Sequence, residues 1–296
     1  MTPILATDRP PSFAIKPEYL AQYDLLPSET GSPPYAQEAL QHTTRNRYSN
    51  VFPFQENIFR FQDTSLYFNA SCVLKGRAIS CQGPLEIEHK HFWRMVWESQ
   101  VTAIVMTTDL VERSIPKCSW YLPLESGASL PASTELPEEL VIHVTQIAGP
   151  PKPTKRSPPD LIERAVELEY QGEKRTISHY HFTGWNDHKT APENLLAQLV
   201  AVVWQKHYRH GQRLITHCSA GIGRSGTFLA TLEAFSQLQK EADLPKLVFS
   251  IVTNLRSHNE GREGMVQTKA QYELIFKALA ILDEVAAKQF CLQASL

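Results

Sequence analysis

Apolar positions along the 296-residue chain change their spacing in a way that predicts strands first and helices last. An apolar stretch over Ala36–Thr44 predicts a short helix, and short runs at Ser65–Cys72, Arg77–Cys81, Ala103–Thr107 and Val141–Thr145 carry the β-branched and aromatic content of strands. Further on, Leu140–Ile147 and Ile162–Tyr170 flank a proline cluster at 150–159. Gln171-Gly172-Glu173 then turns the chain into Thr176–Phe182, so this region predicts antiparallel strands joined by one long loop. Lys152, Lys155 and Arg156 within that loop read as a solvated surface rather than a docking site. After it the period becomes helical. Leu195, Leu196, Leu199, Val200, Val203 and Trp204 mark one face of a helix that ends at Gly211, and Phe228–Gln239, Leu244–Arg256 and Gln267–Phe290 follow as three more. There is no internal repeat.

Composition divides the chain in two. Seven of the 20 prolines fall within residues 1–34, which predicts an extended or partly ordered N-terminal arm, and the folded body is expected over 35–296. That length, with 42% hydrophobic residues, suits one large α/β or α+β domain. With 29 Lys+Arg against 31 Asp+Glu, the net charge of −2 lacks the basic excess of a nucleic-acid binder, so no nucleic-acid partner is expected. The longest apolar runs, such as Leu195–Trp204, are too short to cross a bilayer, and the N-terminus lacks a charged-then-apolar export signal. The five cysteines, Cys72, Cys81, Cys118, Cys218 and Cys291, are odd in number and widely spaced. This excludes a disulfide framework or a structural zinc site as the reading and points to a reducing, cytoplasmic compartment.

One cysteine stands in an activating context. Arg213 to His217 reads as a short apolar strand, Cys218 to Gly223 as a glycine-containing loop, and a helix begins near Arg224. Gly221 and Gly223 let the backbone curl so that successive N–H groups face inward, and the helix adds the positive end of its dipole, a cradle for a phosphate-sized dianion. The same field favours a thiolate at Cys218, and Arg224 can return over the loop to fork two oxygens of a transferring phosphoryl group. The Cys-x5-Arg spacing alone is common by chance. The weight comes from His217 before the cysteine, small residues within the loop, Ser225 after the arginine, and an apolar strand and helix on either side. Cys72, Cys81, Cys118 and Cys291 lack this context and read as small core residues.

The run His217-Cys218-Ser219-Ala220-Gly221-Ile222-Gly223-Arg224-Ser225-Gly226 resembles, throughout, the signature loop of the classical, cysteine-dependent protein tyrosine phosphatases. The resemblance spans about Tyr35 to Leu282. Asn46-Arg47-Tyr48 looks like the family's phosphotyrosine-recognition loop. Asn69-Ala70-Ser71, Gln82-Gly83-Pro84, the segment Phe92 to Glu98 and Lys117-Cys118 with Trp120-Tyr121 look like its core motifs. Trp185-Asn186-Asp187 stands where the family has a mobile Trp-Pro-Asp loop, and Gly264 to Thr268 with Gln271-Tyr272 looks like its glutamine loop. The resemblance implies an α/β (α+β) fold, with a central, mixed, highly twisted sheet flanked by helices and the Cys-x5-Arg loop between a strand and a helix.

It also implies roles. Cys218 attacks phosphorus in line, while Arg224 and the amides of Ser219, Ala220, Gly221, Ile222 and Gly223 hold the oxygens; with that positive field no metal or other cofactor is expected. Asp187, beside Trp185, protonates the leaving phenolate. Ser225 stabilises the Cys218 sulfur, Gln267 positions the attacking water and Gln271 assists. Glu112 orients Arg224, Lys117 pairs with the acid loop, and His217 tunes the thiolate through backbone hydrogen bonds. Tyr48 at the rim deepens the pocket, which favours phosphotyrosine over phosphoserine or phosphothreonine.

Three positions depart from the pattern. Asn186 replaces the loop proline, Asn50 replaces an aspartate that holds the substrate backbone, and Ser49 stands where a basic residue is common, so loop closure and peptide selectivity are expected to differ. The partners expected are phosphotyrosine-containing proteins and phosphate or other oxyanions, with the protein acting as a monomer. A phosphotyrosine-binding pseudophosphatase is the alternative, and a phosphoinositide phosphatase ranks below it. The arm suits either a recruitment or translocation segment, as in phosphatases that bacteria deliver into host cytosol, or a plain leader.

Overall fold

A computed structural model of the chain describes residues 15–28, 33–122, 141–148, 160–185, 191–238 and 243–293, with only the backbone described in 141–148 and 284–293. The elements, in chain order, are α1 (Pro17–Ala21), α2 (Gln37–Gln41), β1 (Ala70–Val73), β2 (Ala78–Cys81), α3 (His89–Glu98), β3 (Ala103–Met106), β4 (Val111–Glu112), β5 (Ile115–Pro116), β6 (Val141–Ala148), β7 (Asp160–Tyr170), β8 (Glu173–Thr183), α4 (Glu193–Lys206), β9 (Leu214–His217), α5 (Gly223–Gln237), α6 (Leu244–Leu255) and α7 (Lys269–Gln293). Among the described residues, seven strands form one mixed sheet in the order β1-β2-β9-β3-β8-β7-β6, and β4 and β5 make a separate hairpin. The predicted antiparallel run is present as β6, β7 and β8, while the centre of the sheet is parallel: β2, β9, β3 and β8 all point the same way.

Period-2 alternation in the central strands sorts side chains to two cores. Ala103, Val105, Tyr180, Phe182 and Leu214 face the layer of α4 to α7. Ile104, Met106, Ile177 and Ile215 face α3 through Phe92, Trp93, Met95 and Val96. Both faces of the parallel centre are thus covered, as a parallel sheet requires.

Several predicted boundaries move for local reasons. The helix expected over Ala36–Thr44 stops at Gln41, where Asn46 Nδ2 donates to the carbonyls of Ala39 (2.8 Å) and His42 (3.1 Å) and caps it. The strand expected over Ser65–Cys72 begins only at Ala70, because Ser65 is turned by hydrogen bonds to Asp63 and Asn69 reaches away to Asn46 and Val51. The last helix starts at Lys269, since Val266 holds a left-handed φ of 59°. The loop over 150–159, with Lys152, Lys155 and Arg156, lies outside the described residues.

Residues 15–28, which the proline content assigns to the arm, fold against the body. Pro17 at the first position fits a helix start, and α1 continues into a 3-10 turn at Gln22–Leu25. Tyr19 packs on Phe276 with ring centroids 5.6 Å apart, and Tyr23 on Tyr272 at 5.7 Å. Lys269 Nζ donates to Asp24 at 2.7 Å, and Leu26 is buried. A five-residue helix is not stable alone, so it is α7 that holds these residues in place.

Candidate functional site

Strand β9 lies between β2 and β3, all parallel, so the loop after His217 opens at the carboxyl ends of the central strands, where ligands gather in such sheets. The loop's carbonyls are taken from outside. Gly83 N–H donates to Ser219 O (2.8 Å), Ser80 Oγ to Gly221 O (2.8 Å) and Val266 N–H to Ile222 O (3.3 Å). With its carbonyl edge so anchored, the loop turns amides inward, and Gly221 N–H donates to Cys218 Sγ at 3.2 Å. Gly221 sits at φ 78°, and a Cβ there would lie 2.3 Å from the Cys81 carbonyl oxygen, so only glycine fits.

Cys218 is buried at the N-terminal end of α5. Burial alone pushes its thiol up, but the charge of Arg224 and the donors of Ser225 and Gly221 outweigh it and hold the pKa below the ordinary thiol value. The described companions go the other way: burial raises Cys72 and Cys81 and pushes Cys118 up to about 12. The Cys291 side chain lies outside the described residues.

Arg224, fully buried in the first turn of α5, donates through Nη1 to Glu112 Oε1 and to the Trp185 carbonyl (2.6 Å). Glu112 comes from β4 and accepts a further hydrogen bond from Thr108 Oγ1 at 3.0 Å. The guanidinium plane is therefore set by two acceptors from different parts of the chain. The Trp185 ring is buried against Phe182, and Gly184 N–H donates to Asp109 Oδ1 at 3.1 Å, which anchors the start of the segment carrying Asn186 and Asp187. Asp187 and Asn186 themselves lie outside the described residues.

Tyr48, Asn50, Lys117, Cys218, Ala220, Ile222 and Gln267 line a cavity of about 680 Å³, together with Glu112, Arg113, Ile115, Glu263 and neighbours. Tyr48 OH is 2.8 Å from Ser219 Oγ, which itself donates to the Lys117 carbonyl at 2.9 Å. Arg47 fastens the Tyr48 loop by donating to the carbonyls of Gly83 (2.9 Å) and Pro84 (2.8 Å). Opposite, Gln271 is buried and its Oε1 accepts from Gln267 N–H at 2.8 Å. A Cβ added at Gly223 would come within 2.6 Å of Gln267 Oε1, so both amide side chains stand against the loop. Every described candidate from the sequence thus gathers at or directly behind one cavity.

Of the frame around it, the sequence reading named Asn46, Asn69, Tyr121 and His217 but missed Arg262 and His179. Arg262, fully buried, donates to the Ser80 carbonyl (3.0 Å) and to Asn69 Oδ1, and Asn69 Nδ2 donates to Asn46 Oδ1 (2.8 Å). Behind Cys218 lies a buried imidazole–phenol chain: His217 Nε2 is 2.7 Å from Tyr121 OH, which is 2.9 Å from His179 Nε2, and His217 Nδ1 is 3.2 Å from Cys218 O. Both faces of β8 are buried from His179 onward, so its strand pattern alone does not single out the two histidines.

Burial lowers His217 from 6.5 to about 4; the bond to the Cys218 carbonyl opposes this, and the charges of Arg47 and Arg224 add to it. Burial likewise takes His181 to about 3, and His179 moves the same way. As pH falls from 6.5 toward 4, the unfolded chain binds protons here that the folded chain refuses, so stability is expected to drop through that window. Denaturant midpoints at a series of pH values check this. The decline should set in below pH 6.5 and soften in His217→Gln; a midpoint flat from neutral pH to 5 contradicts it.

Comparison with known proteins follows the same residues. The profile of the family described as Protein-tyrosine phosphatase matches residues 42–281. The chain is 34% identical over 260 residues to mouse (Mus musculus) tyrosine-protein phosphatase non-receptor type 13, covering 84% of this chain and 10% of that protein. It is 32% identical over 268 residues to mouse receptor-type tyrosine-protein phosphatase eta, covering 87% and 20%. It is 31% identical over 254 residues to human (Homo sapiens) tyrosine-protein phosphatase non-receptor type 7, covering 81% and 64%. The chain thus spans between 10% and 64% of the length of these relatives.

Proposed function

The chain belongs to the protein-tyrosine phosphatase family, and on that premise we propose that it hydrolyses phosphotyrosine in proteins through a cysteinyl-phosphate intermediate. The observation that carries this reading is a buried thiol held below its ordinary pKa by Arg224, Ser225 and Gly221 at the floor of a cavity rimmed by Tyr48.

The Cys218 thiolate attacks phosphorus, the S–P bond forms and the P–O bond to the tyrosyl oxygen breaks. Asp187 delivers its proton to the departing phenolate, whose ordinary pKa near 10 makes it a poor leaving group unprotonated. Arg224 and the loop amides from Ser219 to Gly223 take the charge of the equatorial oxygens, which is where a loose phosphoryl-transfer transition state needs it. A water held by Gln267, with Gln271 behind it, then attacks phosphorus and yields its proton to Asp187. The S–P bond breaks, Ser225 stabilises the thiolate and phosphate leaves. Tyr48 stacks on the substrate ring, and a phosphoseryl arm is too short to reach Cys218. Asn50 accepts a hydrogen bond from the substrate backbone without the charge assistance of a carboxylate. Lys117 steadies the acid loop. The low-pKa thiol fits a reducing, cytosolic setting, and a monomer is the working unit we propose.

Hydrolysis of a phosphotyrosyl peptide in the presence of chelator, beside phosphoseryl peptide and phosphoinositide, tests the reading. The tyrosyl substrate should be preferred, and Asp187→Ala should cut kcat by about 10²–10⁴-fold while removing the basic limb of the pH profile. Binding without turnover in the wild type would make the protein a phosphotyrosine-capture module, and preference for the lipid would make it a phosphoinositide phosphatase.

A further inference from the structure

Arg256, just past the end of α6, ties the N-terminal arm to the backbone that presents Gln267. Its Nε donates to the Met265 carbonyl and its Nη2 to the Val266 carbonyl, both at 2.8 Å. On its other side Nη1 donates to the Pro27 carbonyl at 3.2 Å, Nη2 reaches Tyr23 OH at 3.5 Å, and the guanidinium carbon lies 5.4 Å from the centre of the Tyr23 ring. The same Tyr23 ring packs on Tyr272, the neighbour of Gln271, and Tyr272 OH donates to Gln22 at 3.4 Å.

What Arg256 grips is a strained piece of chain. Val266 holds φ 59°, which a β-branched residue adopts only when its surroundings impose it. Its N–H is fixed on the signature loop through Ile222 O at 3.3 Å, and its carbonyl is fixed by Arg256. The peptide plane between Val266 and Gln267 therefore has one end set by Arg256, and that plane directs the Gln267 side chain into the cavity. Arg256 itself is half-buried, and its hydrogen bonds on the arm are to Tyr23 and Pro27.

We propose that Arg256 is a positioning residue for the hydrolytic half-reaction, and that residues 22–27 of the arm act with it by holding the guanidinium against the Met265 and Val266 carbonyls. The inference rests on the role given to Gln267 above. Attack by Cys218 uses the signature loop, Arg224 and Asp187, whereas the hydrogen bonds of Arg256 described above go to Met265, Val266, Pro27 and Tyr23. Attack of water on the phosphocysteine uses Gln267. Loosening the clamp should then slow the second step and spare the first, with a penalty of up to about 100-fold for a displacement near 1 Å.

The test compares the full-length wild type with Arg256→Gln, Arg256→Lys, Tyr23→Ala, Tyr23→Phe and Gln267→Ala on a phosphotyrosyl peptide. It reads kcat, kcat/KM and, by acid quench and intact mass, the fraction of enzyme held as phosphocysteine at steady state. In Arg256→Gln and Tyr23→Ala, kcat should fall with kcat/KM near wild type and phosphocysteine accumulating, as in Gln267→Ala. Arg256→Lys and Tyr23→Phe, which keep a donor and the ring respectively, should recover part of the loss. Equal falls in kcat and kcat/KM without phosphocysteine, or no change in either, overturn the inference. If Arg256→Gln does not fold, Tyr23→Ala decides by the same split. Absence of phosphocysteine in Gln267→Ala itself overturns the reading of Gln267 and this inference with it, while accumulation there and not in the clamp variants overturns the inference alone.

Discussion

Cys218→Ser is expected to abolish turnover of phosphotyrosyl peptide, by about 10⁴-fold or more, while leaving the peptide bound. The geometry assigns the loss to one atom. Gly221 N–H, the donors of Ser225 and the charge of Arg224 all act on the sulfur, and they overcome the burial that would otherwise keep it protonated. A serine hydroxyl in the same place starts far above a thiol in pKa, so the same field leaves it a neutral and weak nucleophile. Binding follows a different logic. With the thiolate gone, the loop keeps its amides and Arg224 and loses the one negative charge that repels phosphate, so affinity should stay or rise. Calorimetric titration of the variant with phosphotyrosyl peptide, beside a turnover assay, reads both. Residual turnover near wild type would mean that Cys218 is not the nucleophile, and loss of binding would mean that the loop needs the sulfur for its shape.

The second large effect is at Arg224, where charge and shape can be separated. Arg224→Lys keeps a cation but gives up the planar fork that meets Glu112 and the Trp185 carbonyl on one side and a phosphoryl group on the other. A fall in kcat on the order of 10³-fold is expected, with the acid limb of the pH profile little moved because the cation beside Cys218 remains. Arg224→Met should lose at least as much rate and also shift the acid limb to higher pH, since the charge of Arg224 heads the effects that lower the thiol. It also takes the opposing charge away from the buried Glu112 carboxylate, so a destabilisation of about 3–5 kcal/mol should accompany it. Kinetics across pH and a denaturation curve for each variant check the pair. Identical pH profiles for Lys and Met would remove Arg224 from the account of the thiolate.

Legibility in the sequence followed distance along the chain. The signature loop could be read because strand, glycines, cysteine, arginine and helix lie within about a dozen consecutive residues and each has a local reason to be there. The antiparallel run of β7 and β8 was legible for the same reason, its turn being Gln171-Gly172. Glu112 could be attached to Arg224 only through resemblance, because a two-residue strand 112 positions away leaves no pattern of its own. Arg262 and Arg256 left none at all. Each looks like a surface cation near the end of α6, and only the folded chain shows that one is buried against Ser80 and Asn69 and the other clasped between the arm and the Val266 carbonyl. The arm misled for a physical reason: Pro17 and Pro27 read as breaks, yet Pro17 starts a helix whose stability comes from Tyr272 and Phe276 some 250 residues later.

The anchoring of the signature loop also bears on when the protein becomes active during its own synthesis. Ser219, Gly221 and Ile222 are held by Gly83, Ser80 and Val266, and Arg224 by Glu112, so the loop's shape depends on residues more than 100 positions upstream and some 40 downstream. A nascent chain that has just exposed Cys218 still lacks the glutamine loop and α7, and contacts of such sequence separation form late in folding. The loop is therefore expected to reach its final shape only once Val266, some 40 residues later, docks on the Ile222 carbonyl. A nascent chain still missing Val266 is therefore expected to hold Cys218 in an unfinished loop.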